Sequence, residues 1–508
     1  MKPSTELFDL IKSLTKSEKR FFKLSSSLQT GDKNYLKIFD AIDRQVDYDE
    51  GAIKQQFRKE IFIKHFPSEK NHLYKLILKS LRAYHADNSV SSVLKQEIKN
   101  IEILYNKALF KECNKFLMRA KKLAIDHEKF YYLFELINWE KMLLEEALED
   151  GQFTKDLDLL IREEQEVIEK LRNLAAYHVL YSKINYVFRS GGFVRNEEEK
   201  NIVDEIKNHP LIKGKNTALS KRAATICYYT QGFCNIAEGN YDVAQAKFMR
   251  VKQIVDENPH LRQDLAKRYI KTLNYIIFCL IDSGQYQEAL VRTAEMRQLA
   301  EEREFASTDI LLSIFKNATV AELQIAQLTK DYERGYAVVD EITEGMADNE
   351  GKLHKEQVLT FSYQIASFYF STGNYNKSLQ WLNKVLNDNE NTLRQDVYSY
   401  ARLFNLVVHY ELGNYDLLEY ITKSTQRYLS KRQRDYGLEK MVIEYVRKLI
   451  RTTSDSDRRK HFETFLVEVR QRALEPEDRI VLKFFDFVGW AEGHLSNKDV
   501  AVGQRRAV

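Results

Sequence analysis

The chain has 508 residues, of which 44% are apolar, and a formal net charge of only +4. Its longest apolar run, Tyr275 to Ile281, falls far short of the ~20 residues that span a bilayer, and the opening MKPSTELFDL puts Glu6 and Asp9 where a secretory leader needs apolar residues. A cytoplasmic protein with no membrane partner is expected, and with only 5 Pro and 18 Gly, long helices joined by short turns are favoured over strands.

Residues 1–90 form an N-terminal helical domain in this reading. Thr15 with Glu18 makes a capping box that opens a helix through Phe21 and Phe22. Further helices are expected over Asp32 to Gln45, Asp49 to Ile61 and Ser68 to His85, with Pro67 marking a break before the last. This stretch holds 17 Lys and Arg against 12 Asp and Glu, which accounts for the basic excess of the whole chain.

From residue 91 to 431 a short phrase returns about every 44 residues. It reads GNYDVAQAKF from Gly239, GQYQEALVRT from Gly284, GNYNKSLQWL from Gly373 and GNYDLLEYIT from Gly413, with weaker copies from Ala108, Gly151, Gly191 and Thr329. Each Gly-x-Tyr phrase reads as the turn of a helix pair. The glycine accepts the positive φ that ends the first helix, and the tyrosine opens the second. Ile270, Leu273, Ile277 and Leu280 stripe the helix before Gly284, and Ala289, Leu290, Met296 and Leu299 stripe the one after it. Ala289 is small enough to let the two helices approach closely. Residues 432–493 continue as helices (Leu438 to Ile450, Asp457 to Arg472, Glu477 to Trp490) without the turn phrase and read as a helical cap, which a solenoid needs to cover its last apolar face. The tail 494–508 is expected to be disordered.

The copy at residues 228–259 carries Tyr228, Gly232, Tyr241, Ala244, Phe248 and Pro259. In this it resembles the tetratricopeptide repeat family, across about residues 95–430. The resemblance implies an all-α, right-handed α-solenoid of helix pairs, here elongated relative to the family's 34-residue period. The other copies depart from it by placing Ile277, Glu322, Ala366 and Leu406 where Gly232 stands. The resemblance also implies that the first helix of each pair lines a concave face. By its offsets, Tyr181, Asn185, Tyr229, Phe233, Asn274 and Phe278 point inward, followed by Tyr363, Ser367, Leu403 and Val407, while Lys271 and Lys316 are the basic candidates. Aromatics with amides suit an extended or helical peptide. The family's clamp for a C-terminal carboxylate is not matched, since Tyr229 and Phe233 stand where it requires Lys and Asn.

Nothing in the chain gathers into a catalytic pattern: no His-Glu-x-x-His, phosphate loop or Gly-x-Ser-x-Gly elbow occurs, and no cofactor or metal is implied. Cys113, Cys227, Cys234 and Cys279 lie in apolar stretches and read as buried free thiols. Cys227 and Cys234, seven residues apart on one helix, are about 10 Å apart along its axis and too far to bridge. A non-catalytic protein- or peptide-binding scaffold is therefore expected. The alternative is a peptide-responsive regulator whose N-terminal helices bind DNA, through Lys70, Lys75, Lys79 and Arg82.

Overall fold

The computed structural model describes residues 4–27, 34–146, 153–190, 194, 196–388, 395–432 and 436–496. The turn copies at Gly151 and Gly191 and the tail beyond Ser496 lie outside them. Among the described residues every regular element is helical and no strand occurs. The chain divides into two compact units, residues 1–168 and 169–508.

The first unit begins with α1 (Glu6–Ser13), α2 (Lys16–Ser27), α3 (Asn34–Arg44), α4 (Glu50–Gln56) and α5 (Phe66–Tyr84). Its core gathers Leu7, Ile11, Phe22, Ile38, Phe39, Ile42, Leu73 and Ile77 between α1, α2, α3 and α5. The capping box at α2 forms: the Thr15 amide donates to Glu18 Oε2 at 2.7 Å, and the Glu18 amide to Thr15 Oγ1 at 3.2 Å. Pro67 sits in the first turn of α5, where its missing N–H costs nothing. Then α6 (Val90–Asn106), α7 (Phe110–Asp126) and α8 (Phe130–Glu146) pack in succession, and α9 (Phe153–Ser190) carries the division between the units.

The second unit continues with α10 (Glu197–Asn208), α11 (Pro210–Lys213) and then five helix pairs: α12 (Lys221–Ala237) with α13 (Tyr241–Asp256), α14 (Pro259–Asp282) with α15 (Tyr286–Gln298), α16 (Thr308–Thr329) with α17 (Tyr332–Asp348), α18 (Lys355–Ser371) with α19 (Tyr375–Leu386), and α20 (Gln395–Glu411) with α21 (Tyr415–Lys431). Each helix packs on the next in the chain. The first helices also touch each other, α14 on α16, α16 on α18 and α18 on α20, which is the neighbour-to-neighbour packing of an α-helical solenoid. The last first-helix, α20, packs on α22 (Gly437–Arg451), which α23 (Asp455–Arg472) follows.

One turn geometry recurs. Gly239, Gly284, Gly373 and Gly413 stand at φ of 72–78°. The next residue in each case donates its amide to the carbonyl five back, as in Asn240 to Asn235 at 2.8 Å and Asn374 to Tyr369 at 2.9 Å, closing off the orphan carbonyls of the first helix. The same bonds form at Ala108 (φ 57°) and at Lys330 (φ 59°) without glycine. The fourth copy therefore turns at Lys330, one residue later than the expected start at Thr329. Five residues after each turn the position facing the first helix is small and buried: Cys113, Ala244, Ala289, Gly335 and Ser378, giving way to Leu418 only in the last pair. At Gly335 the fit is tight, since an added Cβ would lie 2.1 Å from Phe368 Cε2 and the ring would have to shift.

The helix expected over Glu477 to Trp490 is two helices, α24 (Pro476–Phe484) and α25 (Phe487–Ser496). Phe485 leaves α24 extended (φ −148°, ψ 133°), and the Asp486 carboxylate accepts the Gly489 amide at 2.8 Å, capping a fresh helix.

Candidate functional site

The residues expected on the inner face separate into two populations. Tyr229 and Phe233, on α12, are each 2% exposed. Their rings meet at 4.7 Å and pack against Tyr275 of α14 (Phe233, 4.7 Å), Phe248 of α13 (Tyr229, 5.5 Å) and Phe188 of α9 (Phe233, 4.4 Å). They join α12 to α9, α13 and α14 and offer no surface to a partner. In helices this long, an aromatic ten residues before the turn meets the neighbouring first helix before it meets solvent. Tyr363, Leu403 and Val407, further along the row, are core residues for the same reason.

Tyr181, Asn185, Asn274 and Phe278 are half-buried, and Lys271 is exposed. Tyr181 leans on Tyr229 at 5.6 Å, and Phe278 on Tyr241 at 5.8 Å. The amides of Asn185 and Asn274 make no hydrogen bond within the protein among the described residues. Lys316, the other basic candidate, is half-buried on α16.

On the same stretch of α14 lies a cation that sequence reasoning missed. Arg268 stands one turn before Lys271 on α14 and is half-buried. Its Nη1 donates to Thr225 Oγ1 of α12 at 3.0 Å, and no carboxylate pairs with it among the described residues. The cations around it are already spoken for: Arg222 pairs with Asp264 at 2.7 Å, and Lys267 with Asp309 at 3.0 Å. Burial, with Arg222 nearby, lowers the Arg268 pKa against the opposing pull of Tyr229 and Tyr181. Lys271 is also lowered, by desolvation and by Lys267 and Arg268, although Glu356 pulls the other way. His178, three residues before Tyr181 on α9, is lowered by burial and by Arg268 and so is neutral at pH 7.

Two and three pairs further on, at α18 and α20, the equivalent positions are occupied by the chain itself. Counted back from the turn residue, Tyr400 corresponds to Lys271, and Tyr363 to Asn274. Where α24 gives way to α25, Phe484 stacks on Tyr400 at 4.1 Å and its carbonyl accepts the Tyr363 hydroxyl at 3.0 Å. Phe485 packs on Phe404 at 4.8 Å and on Phe370 at 5.2 Å. Lys483 meets Asp282 at the end of α14 and lies over the Tyr241 ring. The segment thus crosses the first helices through side-chain stacking and one backbone carbonyl. The signal for it in the sequence was Asp486-x-x-Gly489, a cap inside an apolar run.

In the first unit, Lys70 is taken up by Glu50 at 2.5 Å, whereas Lys75, Lys79 and Arg82 are exposed along one face of α5 with no ion pair among the described residues. All four cysteines are free and buried, and burial pushes Cys234 and Cys279 up to about 12. Among the described residues no group of His, Cys, Asp or Glu is placed to hold a metal ion, and no helix is long and apolar enough to cross a membrane. Compared with models of known protein families and with curated protein sequences, the chain matches none.

Proposed function

We propose that the protein is a non-catalytic, cytoplasmic α-solenoid of right-handed, tetratricopeptide-like pairs that binds a peptide or protein segment along the first-helix faces of α9, α12 and α14. The observation that supports this reading is the chain's own segment around Phe484 and Phe485, held on the same stripe at α18 and α20 by a tyrosine hydroxyl on its backbone and by stacked rings. The stripe grips polypeptide there. On α14 the corresponding positions carry the half-buried Asn274 and the exposed Lys271, and on α9 the half-buried Asn185 lies one turn after Tyr181. Amides at such positions hold a peptide backbone through paired donor and acceptor, and the half-buried Tyr181 and Phe278 add contact area.

The test is site-specific photo-crosslinking in the native host, with a photoreactive residue at Asn185, at Asn274, or at the exposed Val291 on α15 as control. The reading expects the same polypeptide captured from the first two positions and not from the third. With that partner in hand, the double variant Asn185→Ala, Asn274→Ala should lose at least ~1–2 kcal/mol of binding while keeping its helical content. No capture from either position removes the reading.

A second reading draws on the α5 face, where Lys75, Lys79 and Arg82 recur at helical spacing in solvent. It makes the first unit a DNA-binding head and the repeats its peptide sensor. Binding of the full chain to duplex DNA that falls with salt, and falls further for the variant Lys79→Glu, Arg82→Glu, is the outcome it requires.

A further inference from the structure

We infer that Arg268 and Lys271 form an oxyanion subsite on the α12–α14 face, one that takes a carboxylate or phosphate group of the bound segment. The inference rests on the peptide-binding reading above and says what chemistry that segment brings.

The argument starts from unmatched donors. A guanidinium carries five N–H donors in a planar fork, and Arg268 spends one on Thr225. Thr225 is itself fixed, its hydroxyl bonded to the Arg222 carbonyl at 2.8 Å, so it holds the guanidinium in place without neutralising it. A half-buried cation surrounded by protein and lacking a carboxylate is costly, and folds usually cure that cost with a counter-charge. This one does so elsewhere on the same helices. Arg222 has Asp264 and Lys267 has Asp309, leaving Arg268 and Lys271 one turn apart as a like-charged pair. Of the influences on Lys271 the pull of Glu356 of α18 ranks last, and it does not reverse the lowering.

The surroundings complete the site. His178 is neutral and adds no repulsion to an arriving anion. The hydroxyl of Tyr229, fully enclosed under the same face, has no hydrogen-bond partner among the described residues. Arg268 is half-buried and none of its nitrogens is among the fully buried atoms that lack a partner, so the guanidinium is not sealed inside the fold. A planar fork with an ammonium beside it matches an oxyanion, which takes two parallel N–H bonds from the first and a point charge from the second.

The test uses the full chain and two simple probes, inorganic phosphate and acetate, titrated against chloride at matched ionic strength. Melting temperature and calorimetry are the readouts. At least one probe should raise the melting temperature of the wild type and bind in the millimolar range. Whichever does so tells phosphate from carboxylate recognition. Lys271→Gln, a change at an exposed position, should weaken that binding by about tenfold or more, as the loss of one charge-assisted contact predicts, and Arg268→Met should abolish it. Lys267→Gln, which alters a neighbouring charge already paired with Asp309, should leave it within about twofold. Without ligand, Arg268→Met should melt no lower than wild type. No response to either probe, or an undiminished response in Lys271→Gln and Arg268→Met, overturns the subsite. Crosslinking from Asn274 separates this failure from a wider one. If the partner is still captured, equally well by Arg268→Met, the subsite falls and the groove stands; if no partner is captured at all, the groove falls with it.

Discussion

Each of the two units holds a buried or half-buried cation on a long helix, and the two are treated in opposite ways. In the first unit Lys121 of α7 is 9% exposed and meets Glu140 of α8 at 2.5 Å and Glu163 of α9 at 2.6 Å. Burial works against its charge, but the hydrogen bonds to the two carboxylates outweigh it and hold the ammonium above its ordinary range. In the second unit Arg268 has one neutral hydroxyl, and burial wins. The first arrangement is complete and ties three helices together. The second is incomplete within the fold, and the missing half is what a ligand supplies.

The sharpest way to break this comparison is to delete both charges. Lys121→Met strands two partly desolvated carboxylates and should cost about 2–4 kcal/mol, read from urea unfolding by Trp139 fluorescence in the first unit. Arg268→Met should cost nothing by the fluorescence of Trp381 and Trp490 in the second. Equal losses in the two would mean that Arg268 is as structural as Lys121.

Backbone and packing devices give the next effects. Gly335→Ala pushes a methyl into Phe368 and should destabilise the second unit by about 1–3 kcal/mol. At Gly284 nothing lies within 4 Å of an added Cβ, and Gly284→Val should lose about 1–2 kcal/mol through its positive φ. Ala108→Gly in the first unit and Lys330→Gly in the second should each gain up to about 1 kcal/mol, because both turns already sit where glycine is at ease. A loss at either would show that the side chain compensates for the strained turn.

The smallest expected difference is in acid. His409, buried on α20, and His178 are both lowered in the folded state, so the unfolded chain takes up their protons first as pH falls below about 6.5. Their contribution is whole above that pH and is lost as pH drops through the lowered folded values. Glu50 of the first unit is held at about 2, chiefly by Lys54 and Lys70 against an opposing desolvation, so its contribution is lost only between about 4.5 and 2. Urea midpoints between pH 7.5 and 5.5 should therefore fall for Trp381 and Trp490 and stay level for Trp139. A parallel fall in both removes the distinction.

What the sequence reveals here is what local backbone chemistry decides. A helix that must stop and reverse needs a positive φ, glycine supplies it most cheaply, and so four turns stand out while Ala108 and Lys330 do so only faintly. The one-residue misplacement at Lys330 arose because no glycine fixes that turn. The small residue five positions on is equally local. The inner row is less legible, because an aromatic such as Tyr229 serves a core as well as a groove, and only the position of Tyr275 and Phe248 around it decides which. Arg268 was hidden for a related reason. Its significance lies in a carboxylate that is not there, while Arg222 with Asp264 and Arg297 with Glu341 carry theirs one repeat downstream, 42 and 44 residues away. Pairing at the repeat interval is a pattern the sequence does contain, and cations outside it are worth looking for.

The passage of the chain through Phe484 and Phe485 alters how the second unit comes apart. A stack of helix pairs joined only to its neighbours behaves as a one-dimensional array, free to fray from its end. Here the Tyr363 hydroxyl holds a carbonyl 121 residues away, and Lys483 reaches back to Asp282. These closures skip over α16, α19 and α21, so the last pairs cannot peel off in sequence without first surrendering the aromatic seat of Phe484. The array becomes a loop tied at both ends, slower to assemble because distant contacts must be found, and more nearly all-or-none once it opens.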